Sequence, residues 1–198
     1  MGVPEQYCRK LTKDEINEMP LRAYEGPVTL VSGDDEVGPA VQRLRADPLL
    51  GFDTETRPSF KKGVTYPPAL LQLATSQEVF IFQLAKITFD DGLMALLSDP
   101  GVTKSGVSVR DDVKELKTLA EFPDAGFVDL ADVARDCGMQ TFGLRNMAAN
   151  VLGFRISKAM QCSNWAKGKL SRKQIRYAAT DAWVSRELHL RLQDLGAL

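Results

Sequence analysis

"GFDTET", Gly51 to Thr56, places two acidic side chains one residue apart at the end of an apolar run, Leu49-Leu50-Gly51-Phe52. The run reads as a short buried strand. Strand side chains alternate between faces, so residues two apart point the same way. Asp53 and Glu55 therefore share a face. Two carboxylates side by side on a core strand repel each other, so either one takes up a proton or a positive charge sits between them.

The chain has 198 residues, enough for one domain with a substantial core. No apolar stretch approaches the roughly 20 residues that span a bilayer. The N-terminus, MGVPEQYCRK, lacks a signal peptide's apolar segment. The expected location is cytoplasmic, with no membrane partner. Cys8, Cys137 and Cys162 are scattered without zinc spacing, and one histidine, His189, lies in a Leu-rich helix. These counts exclude His-rich metal sites and disfavour a Ser-His-Asp site. The net charge of -1 hides an asymmetry: from Cys137 to Thr180 there is no Asp or Glu. The same stretch holds Arg145, Arg155, Lys158, Lys167, Lys169, Arg172, Lys173 and Arg176. Such a segment is either a solvated basic face or a surface for a polyanion.

Residues 1–26 are polar, with Pro4, Pro20 and Gly26, and read as an N-terminal arm. A strand is predicted over 27–31. A helix opens at Ser32-Gly33-Asp34-Asp35, with Val37, Val41 and Leu44 at helical spacing. After the strand at 49–55 comes a loop over 57–68 carrying Lys61 and Lys62. The runs 69–74 and 78–82, around Thr75-Ser76-Gln77, read as a hairpin. Helices are predicted near 90–97, 109–120, 130–137, 144–152 and 171–195, with a short strand at 103–107. This order gives a single α/β domain over 27–198, a mixed β-sheet flanked by α-helices.

Two further carboxylates interrupt apolar patterns. In the last helix Asp181 falls in the stripe formed by Tyr177, Val184, Leu188, Leu192 and Leu195. A buried Asp needs partners. In the helix near 109–120, Asp112 lies in the stripe of Val113 and Leu116, and Asp111 lies outside it. Asp53, Glu55, Asp112 and Asp181 thus point inward from three separate elements. Oxygen ligands without Cys or His suit Mg²⁺ or Mn²⁺. Two such ions, about 3.5–4 Å apart, activate water and stabilise a leaving oxygen in phosphoryl transfer. The charge expected between Asp53 and Glu55 is therefore a metal ion.

"FDTET", "GVSVRDDVKEL" and "YAATDAW" together resemble the three motifs of the DEDD 3'–5' exonuclease superfamily. Tyr177 stands four residues before Asp181, and Arg176 occupies the place of the alternative histidine, so the resemblance is to the DEDDy subgroup. Cys162 to Trp183, and the stretch "LRNMAANVLGFRISK", resemble Werner-type exonuclease domains and, more loosely, ribonuclease D. The resemblance implies a ribonuclease-H-like fold, two divalent cations (Mg²⁺ or Mn²⁺), and release of nucleoside monophosphates from a single-stranded 3' end of DNA or RNA. By position it assigns Asp53, Glu55 and Asp181 to the water-activating metal, with Asp53 shared with a second that Asp112 supports. Tyr177 would orient the attacking water. The alternative is a catalytically silent nucleic-acid- or protein-binding module on the same fold. Lys61, Lys62, Trp165, Lys167, Lys169, Arg172 and Lys173 are candidate substrate contacts. Their plainer reading is solvated charge or, for Trp165, a loop anchor in the core. Gln72, on an apolar strand, either bonds locally or faces the substrate.

Overall fold

A computed structural model describes residues 3–198. The helices are α1 (Lys13–Glu18), α2 (Asp34–Leu44), α3 (Asp91–Leu97), α4 (Val109–Leu116), α5 (Leu130–Asp136), α6 (Leu144–Met147) and α7 (Arg172–Asp194). The strands are β1 (Val28–Val31), β2 (Leu49–Thr56), β3 (Pro68–Ala74), β4 (Val79–Gln83), β5 (Thr103–Gly106) and β6 (Phe127–Asp129). They form one six-stranded sheet in the order β1-β4-β3-β2-β5-β6. Neighbours among β4, β3 and β2 are antiparallel, whereas β1, β5 and β6 join in parallel. The sheet is mixed and helix-flanked, as the sequence predicts.

The period of two along β2 builds both sides of the sheet. Leu50 and Phe52 pack with Leu71, Leu73, Phe80 and Phe82 against α2, α3 and α4. Leu70, Ala74, Val79 and Ile81 line the opposite face, under Ala178, Ala179 and Ala182 of α7. These small helix residues let α7 lie close to the strands. Gly51 makes the approach closer still: a Cβ there would fall inside the contact shell of the Ala182 carbonyl oxygen and 2.8 Å from the Arg186 nitrogen. Only glycine fits so close a backbone approach. Farther along, Val184, Leu188 and Leu192 bury α7 against Leu130, Met147, Val151 and Phe154.

Three elements differ from expectation. β6 has three residues, too few to display alternation, and its Asp129 also caps α5 by accepting from the Ala131 N–H. α4 ends at Leu116, short of residue 120. The helix expected over 144–152 is α6 followed by one π-helical turn, Ala148–Leu152, closed by Gly153 at φ 74°. Residues 3–26 lie against the domain. α1 carries a Thr12–Glu15 capping box. Val3, Tyr7 and Cys8 join the cluster around Leu188 and Leu192. The Arg22 N–H donates to the Arg155 carbonyl at 2.9 Å, and the Arg155 N–H donates to the Pro20 carbonyl at 3.0 Å. Among the described residues no helix is long and apolar enough to cross a membrane.

Candidate active site

Asp53 and Glu55 project from the α7 side of β2, and α7, seated on Gly51, brings Asp181 to meet them. One carboxylate oxygen from each of the three lies within 4.8 Å of the others. Asp181 is 7% exposed, which confirms its place in the apolar stripe. Thr54, the residue between Asp53 and Glu55, points the other way, and its Oγ1 donates to Asp112 Oδ1 at 2.6 Å. Asp112 therefore joins the group from the far side of the β2 pleat. α4 sets its direction by burying Val109, Val113 and Leu116, which leaves Asp112 half-buried and Asp111 exposed. That helix starts at Ser108, a non-glycine residue in the left-handed region at φ 64°. The Ser108 N–H donates to Asp129 Oδ1 at 3.0 Å. Strain of this kind concentrates where a structure must aim a functional side chain.

Burial governs the electrostatics. It pushes the Asp53 carboxyl well above the ordinary range, with Asp181, Glu55 and Asp112 adding repulsion. Glu55 rises to about 9, from burial first and then from Asp181 and Asp112. Burial lifts Asp181 to about 7 against the opposing pull of the Tyr177 hydroxyl and the Arg145 guanidinium. Asp112 rises to about 6 by burial, held back by the Thr54 hydroxyl. Each carboxylate resists ionisation until a cation offsets its neighbours. An all-oxygen donor set of this kind fits Mg²⁺ or Mn²⁺. Burial and the carboxylates also drive the Tyr177 hydroxyl far above its ordinary value. A hydroxyl that keeps its proton at neutral pH can donate or accept a hydrogen bond but cannot serve as a base.

Asp53, Glu55, Asp181 and Tyr177 line a cleft of about 370 Å³ together with Arg145, Asn146, Lys158 and Gln161, and Asp112 stands behind its wall at Thr54. Arg145 is anchored by donating from Nε to the Ile156 carbonyl at 3.0 Å. Of the predicted substrate contacts, Trp165 is buried at 1% exposure, its ring 5.8 Å from that of Tyr177. It supports Tyr177 from within the core and offers no face to a substrate. Lys61 and Lys62 are exposed on the loop that leaves β2 beyond Thr56. Lys167 and Lys169 sit on a loop tied to the end of β4, where Gln83 Nε2 donates to the Lys167 carbonyl at 3.4 Å. Neither lines the cleft. Arg172 and Lys173 are exposed on the first turn of α7. The cations that do line it, Arg145 and Lys158, were not among the predicted contacts, although both fall in the acid-free run and within "LRNMAANVLGFRISK". Gln72 stands opposite Asp53 in the β2–β3 register, fully buried, and its amide has no partner among the described residues.

A sequence model of the 3'-5' exonuclease family matches residues 28–196. The bifunctional 3'-5' exonuclease/ATP-dependent helicase WRN of Mus musculus is 32% identical over 161 residues, covering 78% of this chain and 11% of that protein. Ribonuclease D of Gluconacetobacter diazotrophicus is 33% identical over 162 residues, covering 80% of this chain and 40% of that protein. The chain thus spans less than half the length of either relative. The crystal structure of Escherichia coli ribonuclease D, an exoribonuclease involved in structured RNA processing, shares the fold with a TM-score of 0.73 at 26% identity. That likeness covers 86% of this chain and 46% of the other. The fold is ribonuclease-H-like, as the motifs imply. The family match runs from the first residue of β1 to past the end of α7, and the chain belongs to the 3'-5' exonuclease family.

Proposed function

We propose that this chain is a metal-dependent 3'–5' exonuclease that hydrolyses the terminal phosphodiester of a single-stranded 3' end and releases nucleoside monophosphates. The observation that carries this reading is the meeting of Asp53, Glu55 and Asp181 oxygens within 4.8 Å. These three residues would hold one divalent cation, Mg²⁺ or Mn²⁺, and Asp53 with Asp112 a second. Two bound ions supply an activated water and stabilisation of the leaving oxygen.

The chain's own residues position the reactants. Tyr177 stands one helical turn before Asp181, and the two line the same cleft. The Tyr177 oxygen lone pairs remain free to accept from a water and fix that water's attack direction. Arg145 and Lys158 offset the charge of an incoming phosphate that the carboxylates alone would repel. Thr54 fixes Asp112. The catalytic unit is residues 27–198, with 1–26 as an arm. Lys61, Lys62, Arg172 and Lys173 contact the strand outside the cleft.

The test uses 5'-labelled single-stranded DNA and RNA of matched sequence, with Mg²⁺ or Mn²⁺ and with EDTA. A ladder that shortens from the 3' end, and disappears with chelation, is the expected result. Binding without shortening would identify the silent module instead. Shortening that survives exhaustive chelation would remove the metal from the reading. Comparison of the two ladders assigns the sugar preference, which depends on contacts to the 2'-hydroxyl.

A further inference from the structure

Two cavities meet at Tyr177 and Asp181. One is the cleft of about 370 Å³ lined by Asp53, Glu55 and Asp181. The other, about 780 Å³, lies on the side of the arm and is lined by Arg22, Tyr24, Ala159, Lys173, Arg176 and Trp183 among others. Lys158 and Gln161 face the cleft, whereas Ser157, Ala159 and Met160 face the second cavity. The segment 157–161 is thus the wall between them.

We propose that the arm-lined groove binds the nucleotides upstream of the scissile bond, with the last nucleotide in the cleft. This rests on the exonuclease reading and adds the path of the strand to it. A bond cut beside Tyr177 and Asp181 has a nucleotide on each side, and the molecule has a cavity on each side. The groove is about twice the volume of the cleft. Arg22, Lys173 and Arg176 give it positive charge for successive phosphates. Glu25 engages Arg176 at 2.9 Å, but the pair is exposed, at 57% and 81%, so a phosphate can replace the carboxylate. Tyr24 and Trp183, with ring centroids 6.0 Å apart, supply an aromatic wall for bases.

The groove is formed in advance. The arm is pinned by its two backbone bonds with Arg155, by Arg155 Nε, which donates to the Met19 carbonyl at 3.0 Å, and by the Tyr24 N–H, which donates to Thr180 Oγ1 at 3.0 Å. Binding there does not have to order a loose segment. The arm precedes the residues matched by the exonuclease family, which begin at 28.

Arg22→Glu reverses a charge on an exposed side chain, and Ala159→Trp fills the groove from an exposed position. The probe is a 5'-fluorescent oligonucleotide of roughly eight nucleotides with phosphorothioate linkages, titrated in Mg²⁺ and read by anisotropy. Each variant should bind it about tenfold more weakly than the wild type, with an unchanged melting temperature. Hydrolysis of a nucleoside 5'-monophosphate p-nitrophenyl ester, whose single nucleotide occupies the cleft and whose leaving group is not a nucleotide, should stay within about twofold. Unchanged affinity in both variants, or no binding by the wild type, would overturn the groove. A wild type that binds the probe but hydrolyses neither the ester nor an all-phosphodiester oligonucleotide would leave the groove standing and remove the exonuclease reading.

Discussion

Replacing Gly51 by alanine tests whether the contact between α7 and β2 sets the geometry of the carboxylates. The added Cβ would fall inside the contact shell of the Ala182 carbonyl oxygen, 2.8 Å from the Arg186 nitrogen and 2.9 Å from Arg186 Cβ. Comfortable contacts between heavy atoms begin near 3.5 Å, so α7 must retreat by roughly 1 Å. The obstacle is helix backbone, which cannot swing aside like the end of a side chain. Overpacking of this kind costs about 1–3 kcal/mol, and a backbone obstacle places Gly51→Ala near the upper end. For a domain of this size that is a fall in melting temperature of roughly 6–12 °C. Asp181 and Tyr177 ride on the same helix within about a turn and a half of Ala182, and a 1 Å misplacement at a reacting centre costs about 10²-fold in rate. The assay pairs thermal melting with initial exonuclease rates, measured well below both melting temperatures. Leu192→Ala is the control. It removes a fully buried side chain from the other end of α7, destabilising by about 2–5 kcal/mol without moving the cleft, and should keep a near-normal rate. If Gly51→Ala melts early yet turns over like the Leu192 variant, the close approach serves packing alone and the reasoning fails.

Asp112→Ala should lower kcat by orders of magnitude while Asp111→Ala stays near wild type, because Asp112 accepts from Thr54 inside the site and Asp111 is exposed; equal losses in steady-state rates would show that α4 faces otherwise. Tyr177→Phe keeps the ring against Trp165 and should lower kcat by about 10²–10⁴-fold with little change in KM or melting temperature. Neutralising Arg145 and Lys158 should flatten the salt dependence of oligonucleotide binding, whereas neutralising Lys167 and Lys169 should not, which a titration across ionic strength decides. In EDTA, folded Glu55 keeps its proton up to about 9 whereas the unfolded chain loses it near the ordinary 4.5. The folded state binds the extra proton across that window, so stability should fall as pH rises through it, and Glu55→Gln or added Mg²⁺ should flatten the fall in a pH series of melting curves.

The elements legible in the sequence are those whose burial leaves a pattern. β3 and β4 read as unbroken apolar runs because they are buried on both faces of the sheet centre, and α7 shows a helical period over 23 residues. β6 was not legible, since three residues at a sheet edge, ending in a helix cap, have no period to display. The site divides along the same line. Asp181 and Asp112 stood out as charges within apolar stripes, a contradiction visible without coordinates. Arg145 and Lys158 contradict nothing locally. They become part of the cleft only because α6 and the segment after Ile156 fold back over α7, a long-range event that no spacing encodes.

The alternation that opens the sequence does more than pair two acids. Asp53 and Glu55 look toward α7, so Thr54 must look toward α4. There its hydroxyl meets Asp112, while Gly51, two residues before Asp53 on the α7 side, admits the helix that carries Asp181. One strand segment therefore places all four carboxylates. It presents two carboxylates, it holds the third through the absence of a side chain at Gly51, and it orients the fourth through Thr54. The site can gather four repelling charges because their spacing is set by a central strand, hydrogen-bonded on both sides to β3 and β5. A loop carrying the same residues would relax away from that repulsion. β2 cannot, because moving it would slip the register of the whole sheet.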